Sequence, residues 1–410
     1  MPPGPSSLAL SRSSRQPFRF GRPAATWLQA LILLTFMAAS SAPTPLYSIY
    51  RANWGFSAIT LTIVFAVYAI SLLLALLMLG SLSDHIGRRP VIIGALALNA
   101  AAMAVFMTAS AVPLLIAARL LQGLATGAAT SALAAGLMDL DRQRGPLINS
   151  VAPMIGLALG ALGTSILVQF APAPMQVVFI VLLAAFAVQA LAACFLPETS
   201  SKRRGALAAM LPTVNVPRQA WRALLLIAPM DVAAWALGGF YLSLGPTLAG
   251  RVSGIHAPVI GGLMIFALTV SAAIAVLLLR GWAPQRMLVF GASALTAGIA
   301  VTLAGVHGGA VSLFFLGTSL AGVGFGLGFL GALRTVLPTA QPHERAGLMA
   351  AFYILSYLAF SLPAIGAGVL THAVGLIAAT DYYGAALIVL AAAALIGARL
   401  FPPGRKKAAA

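Results

Sequence analysis

Runs of apolar residues, most of them about twenty residues long, alternate with short polar breaks along almost the whole chain. They cover approximately residues 27–47, 57–79, 90–108, 112–138, 148–170, 174–196, 221–247, 257–279, 287–304, 310–333, 347–371 and 382–401. A helix of about 20 residues crosses the hydrocarbon core of a bilayer. Lipid offers backbone N–H and C=O groups no partner, so each run is predicted to be helical rather than an open strand. The breaks between the third and fourth runs and between the fifth and sixth are very short. The pattern predicts twelve transmembrane helices.

Composition agrees. The chain is 61% hydrophobic and 8% charged, where soluble domains carry about 25% charged residues. The formal net charge of +17 does not gather into a basic domain, so nucleic acid is not an expected partner. The cations fall between the apolar runs instead. With twelve spans, one face receives both tails and 21 of the 24 Lys and Arg residues. Arg51 and Arg251 fall opposite, and Arg119 lies inside the fourth run. By the positive-inside rule both termini are cytoplasmic. The single cysteine, Cys194, can form no internal disulfide, and the spacing of the five histidines suggests no metal site. The first 25 residues are rich in Pro, Ser and Arg and lack acids; they read as a disordered tail.

The longest polar interruption divides the chain in two. Residues 26–196 form one expected six-helix bundle, 197–221 a cytoplasmic loop, 222–402 a second bundle, and 403–410 a C-terminal tail. Weak echoes relate the halves. Gly123 and Gly127 in the fourth run correspond to Gly322 and Gly326 in the tenth, and Pro153-Met-Ile-Gly156 resembles Pro363-Ala-Ile-Gly366.

The break after the second run reads Gly-Ser-Leu-Ser-Asp-His-Ile-Gly-Arg-Arg from Gly80 to Arg89. Gly80, Asp84, Gly87, Arg88 and Arg89 fill every slot of Gly-x-x-x-Asp-x-x-Gly-Arg-[Arg/Lys], which resembles the signature loop of the major facilitator superfamily of transporters. In the second half the motif is degenerate, with Gly281 and Pro284 in place of Asp84 and Gly87. The resemblance implies an all-α integral membrane protein, with twelve transmembrane helices in two pseudo-symmetric six-helix bundles. It also implies a conformational latch of Gly80, Asp84, Gly87, Arg88 and Arg89 that joins the two halves on the cytoplasmic side when the transporter faces outward. Asp139 and Asp141, just beyond the fourth run, are the expected carboxylate partners.

The string Arg119-Leu-Leu-Gln122-Gly123 is similar to the family's fourth-helix Arg-x-x-Gln-Gly motif, whose arginine is tied to proton transfer in proton-coupled members. A guanidinium in lipid is costly and turns inward. Asp231 is the one carboxylate well inside a span, about ten residues or ~15 Å into the seventh. The first, fourth, seventh and tenth helices line the cavity in this family, so Arg119 and Asp231 are expected to face it from opposite halves and to couple substrate to protons. The plain alternatives are a structural ion pair, for Asp231 a site that binds cationic substrate without proton traffic, and for Arg119 bonds to helix carbonyls. Gln122, Tyr68, Tyr241, Ser319, Tyr353 and Tyr357 are candidate cavity polar groups; interhelical hydrogen bonds explain each equally well. Gly156, Gly160 and Gly163 resemble the family's antiporter motif only in part, since Ala161 and Thr164 replace its proline and last glycine. The first run offers Ser40, Ser41, Thr44 and Tyr47 but no acid, and Pro43 and Pro45 break its hydrogen bonding near the outer end.

These features predict a transporter and not an enzyme, in a bacterial inner membrane, monomeric and without a cofactor, driven by the proton gradient. Its expected activity is proton-coupled efflux of a small amphipathic compound or drug. Symport of a metabolite is the second reading, and a non-transporting receptor is a remoter third.

Overall fold

The computed structural model describes residues 19–255 and 257–400. Among them twelve helices are long and apolar enough to cross a membrane. The first half contains α1 (Arg22–Ser41), α2 (Tyr47–Trp54), α3 (Ala58–Leu79), α4 (Leu82–Ile86), α5 (Arg88–Met107), α6 (Val112–Leu140), α7 (Gly145–Phe170) and α8 (Pro174–Ala193). A loop holding the single turn α9 (Ala206–Ala209) leads to α10 (Trp221–Ser243), α11 (Gly245–Ser253), α12 (Pro258–Leu279), α13 (Pro284–Gly308), α14 (Val311–Val336), α15 (Arg345–Val374) and α16 (Leu376–Leu400). The short helices α2, α4, α9 and α11 do not span.

Residues 1–18 of the expected N-terminal tail, residues 401–402 of the expected second bundle and the whole expected C-terminal tail, 403–410, lie outside the described residues. Residues 22–25, assigned to the tail from sequence, already belong to α1, where Pro23 occupies the first turn. The first apolar run does not continue to Tyr47. It breaks after Ser41, passes through a turn and resumes as α2. The seventh run divides in the same way at Leu244 into α10 and α11. Both short helices end at a glycine with positive φ, Gly55 at 68° and Gly254 at 64°. The twelfth helix begins at Leu376, earlier than its apolar run suggests, and so includes Asp381.

The packing scheme is the same in both halves. In the first, α1 packs on α7, α3 on α6, and α5 on both α6 and α8. In the second, α10 packs on α15, α12 on α14, and α13 on both α14 and α16. The two halves meet through α7 with α12 and α3 with α15, a pair of seams related by the same symmetry. The α3–α15 seam closes towards the side away from the tails: Gly368 lies against Thr62 and the Ala58 carbonyl, and the Phe65 and Phe360 rings are 4.9 Å apart. Outward-facing apolar side chains such as Leu74, Val188, Leu278 and Val389 supply the lipid-facing surface.

The glycine echo is a packing echo. A Cβ on Gly123 would fall 2.5 Å from the Tyr68 carbonyl oxygen, and one on Gly127 at 2.5 Å from that of Leu72, both on α3. In the second half, a Cβ on Gly326 would lie 2.6 Å from the Ala272 carbonyl oxygen of α12. Gly156 and Gly160 admit α1 against α7 in the same manner, whereas Gly163 has open space. Without a hydrophobic driving force between helices in lipid, close backbone approach of this kind supplies much of the association. Gly127→Val is therefore expected to cost about 1–3 kcal/mol through overpacking, whereas Gly94→Ala, with nothing within 4 Å, is neutral or slightly stabilising. Thermal unfolding of the purified variants checks both.

Candidate functional site

Three groups of polar residues stand out: the loop between α3 and α5, a buried cluster at the end of α1, and a buried carboxyl in α10.

The loop folds as one turn of helix between two glycines. Gly87 has φ of 105°, and a Cβ there would lie 2.9 Å from the Glu198 carboxyl carbon. The geometry demands glycine. Arg88 is the hub. Its guanidinium is 2.5 Å from Asp84 and 3.4 Å from Asp139, and it donates to Ser83 Oγ at 2.6 Å. Asp139 also accepts from Thr199 Oγ1 at 3.1 Å. Glu198 caps the start of α5: its carboxylate accepts from the backbone N–H of Arg88 at 2.8 Å and of Arg89 at 3.2 Å. The side chain of Arg89 reaches the Cys194 carbonyl. Arg203 N–H donates to the His85 carbonyl at 2.8 Å, and Ser81 Oγ to that of Ala209 at 2.6 Å.

One expectation changes here, that of Asp141. Every partner in this cluster belongs to the first half or to the loop that follows it, so in this state the latch does not reach the second bundle. Asp141 is not part of it. Its Oδ1 accepts from the N–H groups of Gln143 and Arg144 and orders the turn into α7. Glu198 carries no signal in the sequence, because only folding brings the end of α8 beside Gly87.

Arg119 is completely buried. Its Nε and Nη2 donate to Tyr47 Oη at 2.8 and 2.5 Å, and Nη1 donates to the Ser40 carbonyl at 2.9 Å and to Gln122 Oε1 at 2.7 Å. The rings of Tyr47, Tyr68 and Phe106 surround it at 5.2–5.8 Å. Gln122 Nε2 in turn donates to the Ala39 carbonyl at 2.8 Å.

The prolines explain this arrangement. In a continuous helix the Ala39 carbonyl would accept from residue 43, but Pro43 has no N–H. The Ser40 carbonyl would accept from Thr44, whose N–H instead bonds Ser41 at 3.1 Å. Gln122 and Arg119 supply the two missing donors. In lipid a freed carbonyl must be satisfied by protein.

Asp231 lies two residues after Pro229 in α10 and is also fully buried. Its Oδ2 accepts from Ser356 Oγ of α15 at 2.8 Å, while Oδ1 has no partner. Trp235, one turn further on, approaches the carboxyl, yet its Nε1 makes no hydrogen bond within geometric limits. The Trp235 ring packs on Tyr357 at 4.9 Å, Phe360 at 5.5 Å and Phe329 at 5.7 Å. Through Phe360 this aromatic wall reaches Phe65 of the first half.

The structure does not pair Arg119 with Asp231; each has its own partners in its own bundle. Gln122 belongs to the α1 repair and Tyr68 to the wall around Arg119. Tyr241 is buried against Thr318 at 3.3 Å. All three make interhelical contacts, and Tyr241 also borders a small apolar cavity with Leu237, Phe240 and Tyr383. Tyr353 and Tyr357 are half-buried on the Asp231 side, 6.3 Å apart, and Ser319 is half-buried on α14. At the end away from the tails, His307 and Asp381 pair at 2.8 Å. Trp235 and Ser356 are not singled out by the sequence pattern, although Trp235 stands one helical turn from Asp231.

Removing the α1 repair tests its role. Gln122→Ala leaves one buried carbonyl unsatisfied and is expected to cost about 1–3 kcal/mol; Gln122→Glu, which accepts but does not donate when ionised, gives no rescue. Thermal unfolding in detergent measures both.

The model of the Major Facilitator Superfamily matches residues 30–362 of the chain. The solved structure of the nucleoside transporter NupG superposes with a TM-score of 0.69 at 15% identity, covering 91% of this chain and 98% of that one. The human organic anion transporter MFSD10 (TETRAN) gives 0.65 at 18% identity, covering 92% and 100%. A bacterial homolog of the human lysosomal transporter Spinster, inward-facing and unoccupied, gives 0.71 at 14% identity, covering 93% and 97%. No curated protein sequence matches the chain. These likenesses establish the shared fold, and the family match covers most of the chain: the protein belongs to the major facilitator superfamily and is a multi-pass membrane transporter of small molecules, not an enzyme.

Proposed function

We propose that the protein exports a small amphipathic compound in exchange for protons, alternating access between the two faces of a bacterial inner membrane with its tails in the cytoplasm. The carrying observation is Asp231. Of the seven acids in the chain, it alone sits deep within a span, with one oxygen unpartnered and no Lys, Arg or His within 4.0 Å among the described residues. An intramembrane carboxyl left without a cation is a group that takes up and releases a proton or a cationic ligand.

Arg119 serves this cycle through helix position rather than through charge. It holds the broken end of α1, where a bend and a rebuilt turn let the first half hinge. The loop residues Gly80, Asp84, Gly87, Arg88, Arg89 and Asp139, joined by Glu198, brace the tail-side end of α3 against α5 and the central loop. Proton-linked uptake of a metabolite would use the same carboxyl in the opposite direction; the likeness to a nucleoside transporter keeps that second reading in view.

In proteoliposomes with a trapped pH-reporting dye, amphipathic compounds from a screening panel are expected to evoke proton movement in the wild type. Asp231→Asn lowers it by about tenfold or more, the scale typical of losing a proton-transfer group; full proton movement in that variant overturns the reading. Direction is read by adding compound to one side at a time. Glu198→Gln is expected to slow the cycle severalfold, by about 1 kcal/mol of lost charge-assisted bonding, while substrate affinity stays within about twofold, as measured by counterflow.

A further inference from the structure

We propose that the tail-side rim of the second bundle, at the loop between α12 and α13, binds the phosphate headgroup of an anionic phospholipid through Arg280 and Arg286, on a loop that Arg334 holds in place.

The two halves treat the same loop differently. In the first, Arg88 pairs with Asp84 and Asp139, and the Glu198 carboxylate caps the N–H groups that open α5. In the second, Arg280 and Arg286 flank the turn, but Gly281 stands where Asp84 does. Both arginines are exposed, and neither side chain makes a hydrogen bond or ion pair among the described residues. The start of α13 has no side-chain cap. The acids of this half are engaged elsewhere. Asp231 is buried in its span, Asp381 pairs with His307 at the other end, and Glu344 accepts from Gln219 at 2.8 Å and from the N–H of Gln341 at 2.9 Å. Cations beside an uncapped helix start attract an anion from outside the protein.

The rim is also held in shape. The guanidinium of Arg334, in the last turn of α14, donates to the Arg280 carbonyl and so fixes its charge at the end of α12. Gln285 Nε2 donates to the Ala398 carbonyl at 3.1 Å, which ties the start of α13 to the end of α16 and its exposed Arg399. Cations from four helices therefore gather at one corner. Each guanidinium offers a planar fork of N–H groups that matches phosphate oxygens.

The depth of the rim selects a lipid over a soluble anion. Trp282, two residues beyond Arg280, is exposed and stands edge to face against the exposed ring of Phe290 at 5.6 Å. Tryptophan concentrates at the membrane–water interface. Arg286 lies one helical turn before Phe290 on the same face of α13, and Leu277 and Leu278 are exposed at the end of α12. The cations thus border a lipid-facing apolar surface, so headgroup and acyl chains both find partners there. The lipid phosphate takes the place that Asp84, Asp139 and Glu198 fill in the first half.

Native mass spectrometry of the full-length protein, mixed with equal amounts of dioleoylphosphatidylglycerol and dioleoylphosphatidylcholine, tests the site. The two lipids share their chains and differ in headgroup charge. The wild type is expected to retain the anionic lipid over the zwitterionic one by about tenfold. Arg280→Gln/Arg286→Gln removes two side chains that hold nothing else in the protein, so it is expected to elute as wild type and to lose about fivefold or more of that preference. Arg203→Gln/Arg204→Gln removes the same charge from the exposed central loop and is expected to change the preference by less than about twofold. Equal retention of the two lipids by the wild type overturns the proposal. So does a control pair that loses as much preference as the Arg280 and Arg286 pair, because net surface charge alone would then select the lipid.

Discussion

Hydrocarbon cannot hydrogen-bond to a backbone, and the architecture of this protein follows from that restriction. It makes all twelve spans helical. It also turns each interruption of a helix into a requirement placed on a neighbouring chain segment. Pro43 leaves the Ala39 carbonyl without its usual donor, and the turn that follows diverts the N–H of Thr44 away from Ser40. The donors come from α6, through Gln122 and Arg119. A charged residue in the fourth helix and a proline pair at the end of the first are thus parts of one local solution. The cost of placing a guanidinium in the membrane is offset by four hydrogen bonds and three surrounding rings.

The two halves use their symmetry unequally. Both break the helix that enters the bundle, α1 before α2 and α10 before α11, and both pair glycines with a facing carbonyl ridge. Their polar residues are distributed differently. The first half concentrates cations and carboxylates at the tail-side loop and buries an arginine among neutral oxygens. The second half keeps Arg280 and Arg286 in the corresponding loop but has no carboxylate there, and it buries a carboxyl bonded to Ser356. Charge therefore serves bracing and helix repair in the first half, and in the second it is held as a single buried carboxyl.

The relation between the loop and the rest of the molecule also becomes specific. Arg88 organises Asp84, Ser83 and Asp139, while Glu198 caps the helix that Arg88 begins. The sixth span and the central loop are tied to the second and third spans by this cluster. A rigid tail-side end of α3 matters because the same helix forms one of the two seams with the second half at its opposite end. Movement across that seam can then be carried as a rigid body rather than absorbed by a soft loop.

Span number and helical character were legible in the chain itself, because hydrophobic length and the absence of solvent partners leave a single solution per segment. The loop motif and the glycine echoes were equally readable, since glycine and paired charges are demanded locally by turns and close approach. Partnerships were not. Whether Arg119 would meet Asp231, or whether Asp139 rather than Asp141 would meet Arg88, depends on helix rotation and on which faces the packing turns inward. Those choices are made by side-chain fit between distant segments, and no periodicity along one helix contains them. Glu198 against Gly87, Gln122 against the carbonyl freed by Pro43, and Trp235 beside an open carboxyl oxygen all belong to that second class. The residue types were in the sequence, and only the tertiary structure put them within a hydrogen bond, or a ring's width, of each other.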